Sequence, residues 1–304
     1  MQNLTPTSDT GLQDYYIASL KGAILKAMEG VQIVDVSHSI KPFDVASAAF
    51  QMQCCYKNFP DGTIHLIGVD SEPMIQPPEY SDATTFVSSH PTVMKFHNQY
   101  FISNDNGFFG AFLDDKEPQE LWRYTVDKSN TLELKYPMKN CFLPLAKRIM
   151  DEEPLNQFTE AVNKYKKALI PKAVIEEFVV RGIVIHVDSF GNLITNISKA
   201  DFDRLPQDAP YEIKFANEKY YIDHISDTYN AVQQGERVAL FNENNLLEIA
   251  INRGARQSTG GADILFGMKQ GDRLRIESSP AGSRKTLLFY CWCVSLSLLL
   301  KTKH

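Results

Sequence analysis

Around Ile170-Pro171-Lys172 the hydrophobic pattern of the chain changes period, and that change limits the possible folds more than any other feature. Before it, short apolar blocks alternate with helical spacing. Asp14 stands where it would cap a helix over 15 to about 28, with Ile17, Leu20, Ile24 and Leu25 at helical intervals. Residues 31–36 read as a short strand. Asp44 opens a second helix with Val45, Ala48, Ala49 and Met52 on one face, and 63–69 reads as a buried strand. This β-α-β-α-β rhythm predicts an α/β domain with a parallel sheet covered on both faces. Residues 83–88 and 91–103 read as paired strands with turns at Ser89-His90 and His97-Asn98. A turn at 104–107 leads to a helix over 108–113, and helices are predicted over 142–151 and 155–167.

After the break the pattern is β throughout. Strands are predicted over 174–187, 193–197, 211–215, 219–222, 237–241, 246–251 and 273–276, separated by Gly, Asn and Asp turns. Such a run predicts a small barrel or sandwich. A length of 304 residues favours two domains. The expected boundaries are 1–169 and 172–277, followed by a tail over 278–304. The apolar stretch 287–300 would span only about 21 Å as a helix, short of the roughly 30 Å hydrocarbon core, so a membrane anchor is disfavoured.

A formal net charge of -6 argues against nucleic acid, whose phosphates require a basic stripe. Five cysteines without a Cys-x-x-Cys pair fit a reducing, cytoplasmic setting. The histidines lack metal-ligand spacing, so no metal is expected, and P-loop, Gly-x-Ser-x-Gly and Gly-x-Gly-x-x-Gly patterns are absent.

Two loops carry the candidate chemistry. Ser8-Asp9-Thr10-Gly11 follows the opening strand, where a carboxylate can accept ribose hydroxyls or pair with an ammonium group. A turn residue at Asp9 and a helix cap at Asp14 are the plainer readings. Asp70 ends a strand in the same crevice and is the candidate catalytic group, as general base or water-orienting residue; a solvated strand-end carboxylate is the equal alternative. Asn106 is a lining candidate that an Asx-type turn also explains. In Asp188-Ser-Phe-Gly-Asn192, strand alternation would put Asp188, Phe190 and Asn192 on one face, unusual for packing alone. Tyr229 reads more often as a packed ring than as a stacking platform, and Asn242, Glu243, Asn244 and Asn245 form a turn in any reading, whose backbone groups are available to a base edge.

These segments, in this order, resemble the S-adenosylmethionine hydroxide adenosyltransferases and their halogenating relatives. The resemblance rests on Ser8-Asp9-Thr10-Gly11, Ile33-Val34-Asp35-Val36-Ser37-His38, Pro42-Phe43-Asp44, Phe59-Pro60-Asp61-Gly62-Thr63, the 188–196 segment and 247–254. It implies a Rossmann-like α/β N-terminal domain with a mostly parallel sheet, a C-terminal β-barrel, and a homotrimer with the nucleoside between subunits. It implies Asp9 on the ribose hydroxyls and Phe43 as a pocket wall. Asp188 and Asn192 fall near the methionine or ribose end, Phe190 and Tyr229 against adenine. The implied reaction is attack of water on the ribose 5′ carbon, releasing adenosine and methionine without a cofactor. Hydrolytic members use an Asp, an Arg and a His. Asp70 is retained here, but Ser71-Glu72-Pro73-Met74-Ile75-Gln76 replaces the Gly-rich, arginine-containing run, and Pro137 stands at the histidine position with Lys139 at that motif's arginine. A catalytically impaired adenosine-binding protein is therefore the second expectation.

Overall fold

A computed structural model describes residues 2–75, 87–127 and 129–279. Its contacts divide into two units, Met1–Ile170 and Pro171–His304. The tail beyond residue 279, Cys291, Cys293 and most of the strand predicted over 83–88 lie outside the described residues. No described helix is long and apolar enough to cross a membrane.

The first unit holds strands β1 (Asn3–Ser8), β2 (Gln32–Ile33), β3 (Ile64–Gly68), β4 (Pro91–Phe96), β5 (Gln99–Asn104), β6 (Glu120–Arg123) and β7 (Glu160–Ala161). Its helices are α1 (Tyr16–Ala27), α2 (Val45–Cys55), α3 (Phe108–Leu113), α4 (Thr131–Leu134) and α5 (Leu143–Met150). The sheet order is β2-β1-β3-β5-β4-β6-β7. β2, β1, β3 and β5 run parallel, whereas β4, β6 and β7 join antiparallel. The sheet is therefore mixed rather than mostly parallel. The reason is the two-residue turn at His97-Asn98, both at positive φ, which folds β4 directly back on β5.

Period-2 alternation sorts the strand side chains onto two cores. Ile67, Met94, Phe96 and Phe101 pack with Ala48, Ala49 and Met52 of α2 and the phenylalanines of α3. Leu4, Leu66, Val93 and Ile102 pack with Leu20 and Ile24 of α1 and with Leu143, Leu145 and Ala146 of α5. Both faces are covered, as the apolar runs predict. The helix predicted over 155–167 is not formed. Only a short turn of helix at Leu155–Gln157 survives, because Glu160 and Ala161 pair with Arg123 and Trp122 at the sheet edge.

The second unit is antiparallel throughout. Its strands are β8 (Val174–Ile175), β9 (Val179–Val187), β10 (Leu193–Ser198), β11 (Tyr211–Phe215), β12 (Tyr220–Ile222), β13 (Arg237–Phe241), β14 (Leu246–Ile251) and β15 (Arg273–Ser278), with short helices α6 (Lys199–Phe202) and α7 (Ala262–Phe266). The order is β12-β11-β15-β9-β10-β14-β13, with β8 on β9. Arg237 Nε, on the last strand, donates to the Tyr221 carbonyl on the first at 2.9 Å. The sheet is thus nearly closed and barrel-like around Val180, Leu193, Ile213, Leu247, Ile249 and Ile276.

Candidate functional site

In the first unit, β1, β3 and β5 are parallel neighbours, so their carboxyl ends lie on one edge. Ligands of open α/β sheets bind there. Asp9 follows β1, Asp70 follows β3, and Asn106 follows β5. Asp9 Oδ2 accepts the Phe43 N–H at 2.9 Å and the Asp70 N–H at 3.3 Å. Asn106 Nδ2 donates to the carbonyls of Val69 at 3.0 Å and Asp70 at 2.8 Å. The Asp70 backbone is therefore held at both its N–H and its carbonyl, by side chains from two other loops.

The clamp holds unusual backbone. Phe43 has φ 65 and Asp70 has φ 46. Left-handed geometry costs a non-glycine residue about 1–3 kcal/mol and persists only where surroundings enforce it, commonly at working sites. Phe43 is also 74% exposed, so its ring is not held there by core packing. Burial raises the Asp70 carboxyl above the usual carboxylate range, the Asp9 charge adds to the rise, and Lys166 partly offsets it. Asp105 is raised by burial too, and its Oδ1 accepts the Lys166 N–H at 2.9 Å.

Asp14 departs from expectation. It is exposed, and the N-cap of α1 is Tyr15 without a side-chain bond. The helix starts one residue later than predicted, which removes Asp14 from capping distance. Asp44 does cap α2, accepting the Ser47 N–H at 2.9 Å. Lys139 Nζ donates to Ser19 Oγ at 2.9 Å, against α1.

In the second unit, the predicted alternation of Asp188, Phe190 and Asn192 gives way to a tight loop between β9 and β10. Asp188 Oδ1 accepts the N–H groups of Phe190 at 2.9 Å and Asn192 at 2.8 Å, while Oδ2 accepts Asn192 Nδ2 at 3.1 Å. An Asx-type turn outcompetes the strand because one carboxylate satisfies two backbone donors at once. Gly191 sits at φ +89, where an added Cβ would come within 2.2 Å of Asp263 Oδ1. The loop leaves Phe190 61% exposed.

Glu248, on β14, is the residue that reading the site candidates from sequence missed. It is 3% exposed, and it accepts the Tyr229 hydroxyl at 2.7 Å and Asn242 Nδ2 at 3.3 Å. Burial raises its carboxyl, hydrogen bonds from Tyr229, Asn242 and Asn192 oppose the rise, and the Asp188 charge adds to it. Burial and the Glu248 contact push the Tyr229 phenol upward as well. Its signal was legible: a glutamate inside the otherwise apolar strand Leu-Leu-Glu-Ile-Ala-Ile is unexplained by packing. Asn242 Oδ1 accepts the Asn244 and Leu246 N–H groups at 3.0 and 3.2 Å, which shapes the turn; Glu243 and Asn244 are exposed. Asp188, Asn192, Tyr229, Asn242 and Glu248 thus form one hydrogen-bonded cluster with an exposed aromatic beside it.

Among the described residues no group of three or more His, Cys, Asp or Glu side chains is arranged to hold a metal ion.

Residues 4–159 match the family model for the SAM hydroxide adenosyltransferase N-terminal domain, and residues 182–275 match that for the C-terminal domain. An (R)-S-adenosyl-L-methionine hydrolase of Thermus thermophilus is 24% identical over 278 residues, 88% of this chain and 97% of that protein. A fluorinase of an Actinoplanes species is 25% identical over 215 residues, 65% of this chain and 72% of that protein. The crystal structure of an uncharacterized conserved protein from Thermotoga maritima aligns with a TM-score of 0.73 at 25% identity, over 91% of this chain and 99% of that one. With both domain models matched in order along the chain, this protein belongs to the S-adenosylmethionine hydroxide adenosyltransferase family.

Proposed function

We propose that the protein hydrolyses S-adenosyl-L-methionine to adenosine and L-methionine. One observation carries the reading: the Asp9 carboxylate fastens both Phe43 and Asp70 in left-handed backbone at the carboxyl edge of the sheet. Strain enforced by a carboxylate at that edge presents the Asp70 side chain rather than serving packing.

In this reading Asp70 orients a water for in-line attack on the ribose 5′ carbon. The C5′–S bond breaks with its electron pair going to sulfur, giving neutral methionine. The sulfonium is already a good leaving group, so alignment and desolvation of the nucleophile carry most of the acceleration. Asp9 keeps one oxygen for ribose hydroxyls. Phe190 and Tyr229 offer ring faces to adenine. Glu248, Asn192 and Asn242 fix the Tyr229 ring and the neighbouring turn. The homotrimer implied by the family resemblance and the cytoplasmic setting read from the cysteine pattern belong to the same proposal.

The test is adenosine release from purified protein, with Asp70→Ala as control. No release above that control would refute hydrolysis. A second reading, binding without turnover, is favoured by one observation: Lys139, at the position of a family arginine, is engaged with Ser19. Calorimetry separates the two, since clean saturation without later heat or product supports a binding protein.

A further inference from the structure

Behind the Asp9 loop a chain of four polar side chains runs from the loop to the protein surface. Thr10 Oγ1 lies 3.0 Å from Ser8 Oγ, and Ser8 Oγ lies 2.8 Å from His38 Nδ1. His38 Nε2 is 3.2 Å from Asp35 Oδ1, and the other oxygen of Asp35 meets Lys21 Nζ at 2.5 Å. Ser8 has no exposed surface and His38 is 4% exposed, whereas the Asp35 side chain is 37% exposed. The backbone fixes the spacing: the Ser8 N–H donates to the Ser37 carbonyl and the Gly11 N–H to the His38 carbonyl.

The direction of this chain follows from its end. His38 Nε2 makes no well-aligned hydrogen bond, but the Asp35 carboxylate 3.2 Å away can only accept and so favours the ring proton on Nε2. Nδ1 is then an acceptor and takes the Ser8 O–H. Ser8 Oγ in turn accepts the Thr10 O–H. The free lone pairs of Thr10, half-buried beside Asp9, are left as the acceptor at the open end. Ser8 is sealed from solvent, so a nucleophilic serine does not explain the array.

We infer that Thr10, Ser8 and His38 form a proton relay that receives the proton of the attacking water, standing in for the family histidine whose position Pro137 occupies. The inference rests on the hydrolytic reading above. Water forms its bond to C5′ as the C5′–S bond breaks. Its proton passes to Thr10, the Thr10 proton to Ser8, and the Ser8 proton to His38 Nδ1. The resulting imidazolium faces Asp35, and among the described residues Lys21 is the one further charged group paired with that carboxylate.

Thr10→Val removes the outlet at nearly constant volume. Its adenosine release should fall about 10²- to 10⁴-fold in kcat, the usual worth of a general base, with KM for S-adenosylmethionine little changed. Thr10→Ser should recover a large part of that loss. The acid limb of the wild-type pH profile should vanish in Thr10→Val. In the intact wild-type protein, ¹⁵N spectra should show neutral His38 protonated at Nε2. An Nδ1–H tautomer would overturn the relay whatever the variants do. Unchanged kcat and pH profile in Thr10→Val, with adenosine still released by wild type, would overturn the relay alone. Absence of release by wild type would overturn the hydrolytic reading and the relay with it.

Discussion

Asp9 governs Asp70 through its backbone and through its charge at once. Oδ2 of Asp9 accepts the Asp70 N–H at 3.3 Å, while the Asp9 charge contributes to raising the Asp70 carboxyl. The two effects are separable. Asp9→Asn keeps an oxygen acceptor for Phe43 and Asp70 but removes the like charge, so the Asp70 carboxyl should titrate at lower pH by ¹³C NMR. Asp9→Ala removes the acceptor from both strained backbones and should destabilise the protein by about 1–3 kcal/mol in urea unfolding. An Asp70 titration that does not move in Asp9→Asn would show that burial alone sets it.

The first unit was legible where local signals and tertiary packing agree. Asp44 caps α2 as its position demands, and the apolar blocks over 63–69 and 91–103 form strands. The β4–β5 hairpin was legible from its His97-Asn98 turn, but β6 and the edge strand β7 were not, because both are short and their pairing is fixed by neighbours rather than by their own pattern. In the second unit the β segments were readable from alternation and turns, except that 174–187, read as one strand, breaks into β8 and β9, which pair antiparallel with each other. The error at Asp188 was one of local competition, since a turn that satisfies two N–H groups leaves the same residues looking like a strand. Clusters such as Glu248 with Tyr229 join residues 19 positions apart and have no local signature beyond a glutamate in an apolar strand.

Glu248 should make stability depend on pH. Its native carboxyl is raised by burial, so the folded state holds the proton more tightly than the unfolded chain. The associated stability is present below the ordinary carboxyl range and is lost as pH rises from that range through the raised native value. Glu248→Gln removes the titration and should flatten that segment of a urea-midpoint profile. An unchanged slope in the variant would show that another group carries it.

Tyr229→Phe deletes the hydroxyl that Glu248 accepts at 2.7 Å. The variant leaves a buried carboxylate with one donor fewer, which should cost about 1–3 kcal/mol. The ring face remains, so S-adenosylmethionine affinity by calorimetry should fall less in Tyr229→Phe than in Tyr229→Ala. Equal losses would place the ligand contact on the hydroxyl.

Gly191→Ala meets two obstacles together. The residue is at φ +89, and the new methyl would lie 2.2 Å from Asp263 Oδ1 and 2.9 Å from the Gly261 Cα. Asp263 cannot swing away freely, because its other oxygen accepts Arg256 Nε at 2.6 Å. The loop carrying Asp188, Phe190 and Asn192 must therefore shift. A melting temperature lowered by several degrees and weakened adenosine binding are expected. Asp263→Ala in the same background relieves the contact with its carboxylate and should recover part of the binding, which simple backbone strain would not allow.

His65 gives the opposite pH signature to Glu248. Its ring is fully buried and stacked on Phe101 at 4.6 Å. Nε2 lies 2.9 Å from Gln99 Oε1 and Nδ1 lies 2.6 Å from Thr5 Oγ1. The Gln99 amide nitrogen is committed to the carbonyls of Tyr56 and Phe59, so its oxygen must accept, and His65 carries its proton on Nε2. Thr5 then donates to Nδ1, and a second ring proton would force that hydroxyl to turn and accept instead. Burial accordingly pushes the imidazole down to about 4. A depressed native value means stability that is whole above the unfolded value near 6.5 and is lost as pH falls through the native one. At about 1.4 kcal/mol for each pH unit, the loss between those values is on the order of 3 kcal/mol. Wild-type protein should therefore lose stability steeply below about pH 6.5. His65→Gln, which keeps hydrogen-bonding groups near Thr5 and Gln99, should be less stable at neutral pH yet flatter in acid. A variant with the wild-type slope would assign acid sensitivity to other groups and remove His65 from the account.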